Sequence, residues 1–508
     1  MSGIILKNGF VFDPLNGIEG EKMDIMIKDG FIVDQVDERE SKVLDVKGKM
    51  VVPGGIDCHT HLAAQTLSFA KMINLKVPLP RETGEVYLKN GYTFIVEAGT
   101  FFSRALHTHL WLQEAHSLDK ACLLLLDSNW FLLTLAQQGD VKAAADTIAW
   151  LLRTTKTYGI KLVNPLSAEA WTWKREWKGM EEKIRHLGVS PLEYAEFILK
   201  ASQILNLPSP LHIHPDGALQ KGGYEKAVRT LEKLREVGKV HLAHAQLYTF
   251  GEEEEKAEEL AKYINSASNI EAEIGQTTLT GKIMTSSDPY LAYAHLGRLS
   301  FLDQIEIEGV STLIKVGEKL GELWAVGLKL LLNVKDLSKV QLTVNHPNCG
   351  LASDYPLVAA WLVSKKAREK MDKNGQLSQL DQELTLQELF MVTRCSPAAA
   401  LGLNGKGNLS RGAEADVAVY DFNPENTDPS KDYEALVKAL SKTAYTIKGG
   451  EIIVKNGEVL RSTAGKTLWA KREGEPPDDV FALMERFYSF DLELSEMEKV
   501  LKVALSSV

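Results

Sequence analysis

Several histidines stand at the ends of short apolar segments, spaced as metal ligands often are. His59 and His61 close the segment GGIDCHTHL. Residues two apart in an extended strand point to the same face, so both imidazoles can bind one cation. A second pair, His212 and His214, ends SPLHIH, and His244 follows in KVHLAHA. Neutral imidazoles suit zinc best, and other divalent transition metals less well.

Two of these segments offer a choice of ligand. His241 and His244 lie three residues apart, so a regular strand would send them to opposite faces. We favour His244 because it is nearer the carboxyl end of its segment. The same argument favours His214 over His212. We expect His212, and Asp216 just beyond it in LHIHPD, to contact the ligand side chains and not the metal ion itself.

Lys161 lies inside the apolar segment YGIKLVN, where burial would disfavour its charge. A neutral buried amine can take up carbon dioxide, and the resulting carbamate can bridge two metal ions. The alternative is a lysine at a strand rim whose ammonium reaches water, which is the commoner situation for a single lysine. Taken with the histidines, Lys161 predicts two divalent ions that assist hydrolysis of an amide-like bond.

The order of the segments predicts how these residues come together. Apolar, strand-like segments alternate with amphipathic helical ones such as SPLEYAEFILKASQIL, which is typical of parallel strands joined by crossover helices. About eight repeats indicate a TIM-type (β/α)8 barrel, whose functional side chains sit at the carboxyl ends of the strands. Nine segments qualify, including FLDQIEIEG, so we expect an insertion around 280–310.

Short β segments with Gly and Asn turns, such as KNG and KDG, occupy both ends of the chain. We predict a small β-sandwich built from residues 1–51 and 401–469, a barrel over 52–400 and a helical tail over 470–508. Two separate β lobes are the alternative.

Composition restricts the partners and the compartment. The chain has 508 residues and a net charge of −10, which argues against nucleic acid and anionic membranes as partners. No basic segment followed by an apolar one opens the sequence, and the apolar run ACLLLLD is too short to span a bilayer. Four scattered cysteines without a C-x-x-C pair disfavour a disulfide framework or a structural zinc site. We therefore expect a cytoplasmic protein.

Longer stretches resemble one enzyme family. PGGIDCHTHL and NLSRGAEADVAVYDFNPE resemble the amidohydrolase superfamily. YGIKLVNPLSAEAW, IEAEIGQTTL and YPLVAAWLVSKKAR are similar to the formyl-hydrolysing subunit of formylmethanofuran dehydrogenase and to its relative in the bacterial formyltransferase/hydrolase complex. The resemblance implies an enzyme that interconverts N-formylmethanofuran with formate and methanofuran. It also implies a complex containing a molybdenum- or tungsten-pterin subunit.

The resemblance assigns roles to the predicted ligands. It implies that His59 and His61 bind one metal ion, that carboxylated Lys161 bridges to a second, and that His214 and His244 hold the second ion. Zinc is the favoured metal. It further implies an aspartate after the eighth strand, within a T-x-D-x-P-N segment, as metal ligand and proton shuttle.

Asn345 stands at the position of that aspartate, in TVNHPN. An amide cannot take a proton from water, and loss of a general acid or base costs on the order of 10²–10⁴ in rate. His346 is adjacent, but strand alternation sends it to the other face unless a bulge or a loop rotation brings it in.

Three functions are therefore compatible with the sequence. The first is an active hydrolase of a linear formamide. The second, favoured by Asn345 and by shorter loops than the family has, is a divergent subunit that serves as a scaffold or binding module with weak or no activity. The third is a hydrolase of another amide, such as a cyclic one.

Overall fold

The computed structural model describes residues 3–64, 67, 76–172, 178–251, 255–278, 283–286, 312–315, 320–372, 375–487 and 504–507. The first strands in chain order are β1 (Ile4–Asp13), β2 (Ile18–Lys28), β3 (Phe31–Val33), β4 (Lys42–Asp45) and β5 (Met50–Pro53). The strands of the central region follow: β6 (Gly55–Thr60), β7 (Tyr92–Thr100), β8 (Asp119–Leu125), β9 (Gly159–Val163), β10 (Leu211–His214), β11 (Val240–Leu242), β12 (Ile270–Gly275), β13 (Ile283–Ser286), β14 (Thr312–Lys315) and β15 (Val340–Thr343). The last strands are β16 (Val417–Tyr420), β17 (Tyr445–Lys448), β18 (Glu451–Lys455), β19 (Glu458–Val459), β20 (Lys466–Trp469) and β21 (Ala504–Ser507).

Helices occupy most of the connections between these strands. Those before β15 are Pro80–Lys89, Ala105–Gln113, Trp130–Gln138, Val141–Thr155, Ser167–Thr172, Pro191–Leu205, Gly223–Leu234, Glu255–Ser266 and Leu320–Asn333. Those after it are Tyr355–Val363, Lys365–Met371, Leu386–Phe390, Ser396–Ala400, Tyr433–Ser441 and Asp478–Phe487. In the part of the chain that the structure describes, no helix is both long and apolar enough to cross a membrane.

The predicted TIM-type barrel is confirmed. Strands β6 to β12 and then β15 lie side by side in parallel, in the order of the sequence. Eight of the nine predicted segments supply these strands, and the ninth, FLDQIEIEG at 301–309, lies outside the described residues. β13 and β14 pair with each other in an antiparallel hairpin between β12 and β15. β13 lies within the insertion predicted around 280–310, and β14 begins just after it.

Both ends of the chain meet in a second, mixed sheet, as predicted. Its order is β19, β18, β17, β16, β5, β1, β2 and β3, with β4 also paired to β1. The junction is the antiparallel pair of β5 and β16, in which Val51 lies opposite Val419. Apolar side chains from both ends share one small core, among them Leu6, Val11, Ile27, Val51, Val417, Val419 and Ile447.

Two strands near the carboxyl terminus lie elsewhere than expected. Lys466–Trp469 (β20) falls within the predicted second half of the β unit, but it pairs in parallel with barrel strand β8. Ala504–Ser507 (β21) pairs with β20, although it falls in the tail predicted to be helical. The helix Asp478–Phe487 agrees with the expected tail. The domain boundaries themselves stay a prediction.

Buried ion pairs join the barrel to the terminal sheet. Lys406 Nζ lies 2.7 Å from Asp119, at the start of β8, and 2.8 Å from Asp416, beside β16. Lys448 contacts the same two carboxylates at 2.8 and 3.0 Å. Burial disfavours the charge of Lys406, but Asp416 and Asp119 outweigh it and raise its pKa.

Lys406→Met should destabilise the protein, because Lys448 alone would then face both buried carboxylates. Removing one partner from a buried ion pair costs about 3–5 kcal/mol. Thermal denaturation should show a clearly lower midpoint. Lys431→Met is the control, since Lys431 pairs with Asp428 on the surface and exposed pairs contribute little. Equal midpoints for the two variants would mean that the buried pairs do not hold the two sheets together.

Candidate metal centre

Three predicted ligands meet at the carboxyl ends of β6 and β9. Nε2 of His59 lies 3.3 Å from Nε2 of His61 and 2.9 Å from Nζ of Lys161. His59 and Lys161 are buried, and His61 is partly buried. Nitrogen atoms that converge in this way inside a barrel form a suitable ligand set for a divalent cation.

The other predicted ligands lie beside this group. The ring centroid of His244 is 4.2 Å from that of His59 and 5.5 Å from that of His214. Nδ2 of Asn345 is 3.3 Å from Nε2 of His244. Within the described residues, Nε2 of His214 and Oδ1 of Asn345 are buried without a hydrogen-bond partner. Buried polar atoms normally have a partner, so these open atoms fit a bound cation.

Two buried glutamates lie behind the histidines, and the histidine spacing did not predict them. Oε1 of Glu273, on β12, contacts Nδ1 of His59 and lies 3.0 Å from Nδ1 of His244. Oε1 of Glu97, on β7, lies 3.6 Å from Nδ1 of His61. Metal-binding histidines commonly turn their second ring nitrogen toward a carboxylate. Glu97 lies in the apolar segment YTFIVEA and Glu273 in NIEAEIG. A charged residue inside an apolar segment is the same pattern that identified Lys161.

His241 and His244 both face the interior, contrary to the expectation from strand alternation. β11 ends at Leu242, and His244 then adopts a left-handed conformation with φ of 52°. The alternation therefore stops before His244. Nε2 of His241 lies 3.3 Å from Oε2 of Glu273, while His244 contacts the other oxygen.

His212 lies below the ligands, and Asp216 lies apart from them. The ring of His212 stacks on that of His241 at a centroid distance of 4.1 Å. His212 thus supports a residue that contacts Glu273. Oδ2 of Asp216 lies 3.5 Å from Nζ of Lys226. No hydrogen bond or ion pair joins Asp216 to the histidines within the described residues, so the structure does not bring it into the cluster.

His346 is not brought to the ligands either. Its Nε2 lies 3.2 Å from the Thr83 hydroxyl, and its Nδ1 accepts a hydrogen bond from the Ala352 amide at 3.1 Å. Both ring nitrogens are therefore engaged away from His244 and Asn345, and burial lowers the pKa of His346 to about 3. β15 ends at Thr343 and Asn345 has a left-handed backbone with φ of 46°, so the ring of His346 is placed by its two hydrogen bonds and not by strand alternation.

Burial sets the charge state of the cluster. It lowers the pKa of His59 and His214 well below the usual range, so both rings are neutral. Burial also lowers the pKa of Lys161 to about 8. For Glu273, burial works against the charge, but the surrounding histidines outweigh it and hold its pKa well below the usual range. Neutral imidazoles are the form that binds metal.

Comparison with known proteins places these residues in a family context. The profile of the amidohydrolase family matches residues 42–454 of this chain. Protein FwdA of Methanocaldococcus jannaschii is 34% identical over an alignment of 547 residues that covers 96% of this chain and 95% of that protein. One subunit of the formyltransferase/hydrolase complex Fhc of Methylorubrum extorquens is 27% identical, with 84% of each protein covered.

Solved structures show the same fold. A chain of the formyltransferase/hydrolase complex from Methylorubrum extorquens, crystallised with methylofuran, has a TM-score of 0.90 and 24% identity, covering 100% of this chain and 99% of that chain. A D-aminoacylase has a TM-score of 0.52 and 16% identity, covering 92% of this chain and 99% of that chain.

Metal analysis tests the cluster directly. We expect the purified protein to carry about two divalent ions per chain, and His59→Ala or His244→Ala to lower that number. His346→Ala is the control, because its ring contacts Thr83 and Ala352 instead. Dialysis against metal-free buffer followed by mass spectrometry of the metals gives the measurement. Full metal content in His59→Ala, or loss of metal in His346→Ala, would contradict the assignment.

Proposed function

Because the chain belongs to the amidohydrolase family, we propose that it cleaves the C–N bond of a linear N-formyl amine. The proposed substrate is N-formylmethanofuran, interconverted with formate and methanofuran, as in the formyl-hydrolysing subunit of a formylmethanofuran dehydrogenase-type complex. The observation that carries the proposal is the convergence of His59, His61 and Lys161 beside His244. The near full-length similarity to FwdA supports the narrower assignment.

The residues present fit a binuclear centre. His59 and His61 would hold one ion, His214 and His244 the other, and Lys161, once carboxylated, would bridge them. Zinc is the metal we propose, since the ligands are mainly imidazoles. When bound, such ions polarise a carbonyl group and make water nucleophilic near neutral pH. The dry surroundings of the cluster strengthen each of these electrostatic effects.

Asn345 decides how much activity the centre has. Its Nδ2 donates toward Nε2 of His244 and Sγ of Cys349, and its open Oδ1 can offer a cation a neutral oxygen ligand. It cannot take a proton from water or return one to the departing amine. The buried and engaged ring of His346 does not replace it.

Asn345 also favours a second function for the same fold. A chain that binds the formyl amine but transfers protons poorly would act as a scaffold or binding module with weak turnover. Metal binding is expected in both cases, because the remaining ligands are unchanged. Proton transfer, not metal content, therefore distinguishes the two functions.

Asn345→Asp should raise formate release from N-formylmethanofuran by on the order of 10²–10⁴, since a carboxylate can carry the proton. Formate is measured with a formate dehydrogenase-coupled assay on metal-loaded protein. Asn348→Asp is the matched control, because it adds the same charge to the same turn, where its backbone amide donates to the Asn345 carbonyl.

The outcomes separate the two functions. Formate release by the wild type supports the hydrolase, whereas release by Asn345→Asp alone shows that the amide silences the site and favours the scaffold or binding function for the natural chain. If neither metal-loaded protein releases formate, the scaffold function is favoured. If the wild type releases formate rapidly and Asn345→Asp does not raise that rate, a group other than residue 345 transfers the proton.

We also propose that the chain works in the cytoplasm within a multi-subunit complex that includes a molybdenum- or tungsten-pterin subunit. The support is that one relative belongs to a formyltransferase/hydrolase complex. The protein isolated from its native cells should therefore elute in gel filtration well above 56.3 kDa, with molybdenum or tungsten in the same fractions. Elution as a single chain without either metal would contradict this assembly.

A further inference from the structure

Glu273 lies where the two halves of the metal centre meet. Its Oε1 contacts Nδ1 of His59 and lies 3.0 Å from Nδ1 of His244. Under the proposed function, His59 belongs to the ligands of one ion and His244 to those of the other. A single carboxylate oxygen therefore touches one ligand of each ion.

The contacts of Glu273 determine which ring nitrogen is available to a cation. A carboxylate oxygen next to Nδ1 favours the tautomer with its proton on Nδ1, which leaves the lone pair on Nε2. Nε2 of His59 faces His61 and Lys161 at 3.3 and 2.9 Å. Nε2 of His244 faces the Asn345 amide at 3.3 Å. Both lone pairs thus point into the cluster.

The other oxygen of Glu273 holds the carboxylate in place through contacts with His241 and Cys58. Oε2 lies 3.3 Å from Nε2 of His241 and 3.8 Å from Sγ of Cys58. The Glu273 side chain is completely buried, and His241 is in turn stacked on His212. Water cannot replace these contacts in such an interior. The orientation of the carboxylate is therefore set by the protein.

We propose that Glu273 is a positioning residue that orients one histidine ligand of each metal ion and thereby couples the occupancy of the two sites. Its negative charge also compensates part of the charge of the two cations in a region of low dielectric constant. The inference rests on the proposed binuclear centre. It adds a residue of β12, a strand that supplies none of the proposed ligands.

Glu273→Gln should weaken the binding of both ions by about 10–100-fold, because a neutral amide oxygen is a weaker acceptor for the two Nδ1–H groups and no longer compensates the charge of the cations. Metal-free protein is titrated with Co²⁺, and the visible absorption of the bound ion gives both the affinity and the coordination geometry. A change in the shape of that spectrum is expected as well, since poorly oriented rings alter the coordination. A purely structural role for Glu273 would leave the spectrum unchanged.

Glu271→Gln is the matched control. Glu271 lies two residues earlier on β12, where it pairs in register with His241 and its carboxylate contacts Lys239. The variant removes the same charge from the same face of the same strand, so wild-type Co²⁺ binding is expected. Equal weakening in Glu271→Gln, or unchanged binding in Glu273→Gln, would overturn the proposal.

Glu273→Asp serves as a second variant if Glu273→Gln fails to fold, which the thermal midpoint of the metal-free protein reveals. Aspartate keeps the charge but shortens the reach, so intermediate affinity is expected. Wild-type affinity in Glu273→Asp would show that contact with both rings is unnecessary and would overturn the proposal. A wild type that binds no Co²⁺ would instead defeat the proposed binuclear centre and this inference with it.

Discussion

The metal centre depends on how the first and last strands of the barrel are held together. Among the described residues, β6 and β15 share no backbone ladder. Instead, the Thr343 hydroxyl lies 2.8 Å from the Asp57 carboxylate and 2.9 Å from the His59 carbonyl oxygen. The hydroxyls of Tyr87 and Tyr355 donate to the other oxygen of Asp57. These hydrogen bonds fix the distance between the residues leaving β6 and those following β15.

Exclusion of water links the remaining features of the site. It lowers the pKa of His59 and His214 well below the usual range and that of Lys161 to about 8, so the two imidazoles offer lone pairs and the amine loses its proton more readily than in water. The same exclusion makes an unpaired charge costly. Glu273 accordingly lies among histidines, and Lys406 lies among carboxylates in the layer between barrel and sheet. Glu273 is thus accompanied by imidazole groups that can donate hydrogen bonds, and Lys406 by groups of opposite charge.

Sequence alone predicted the parts of the site that depend on local pattern. The alternation of apolar segments with helical ones identified the barrel strands, position at a strand end identified His59, and an apolar surrounding identified Lys161. Glu273 was missed because its partners lie on β6 and β11, and the stagger between distant strands sets that contact. His244 was predicted as a ligand, but the inward position of His241 was missed, because the two histidines share the interior only through a left-handed backbone at His244 with φ of 52°. The pairing of β20 with the barrel likewise arises from tertiary packing.

The meeting of β5 with β16 has a consequence for the order in which the protein can fold. Met50 lies opposite Tyr420, so the first part of the sheet has no neighbour on that side until most of the chain has been synthesised. Pairings between residues so far apart in sequence form slowly, because the closing of a long loop opposes them. Until then, the free edge of β5 is open to pairing with other chains. The barrel lies between β5 and β16 in sequence, so its folding brings these two strands closer together and reduces the cost of closing the loop between them.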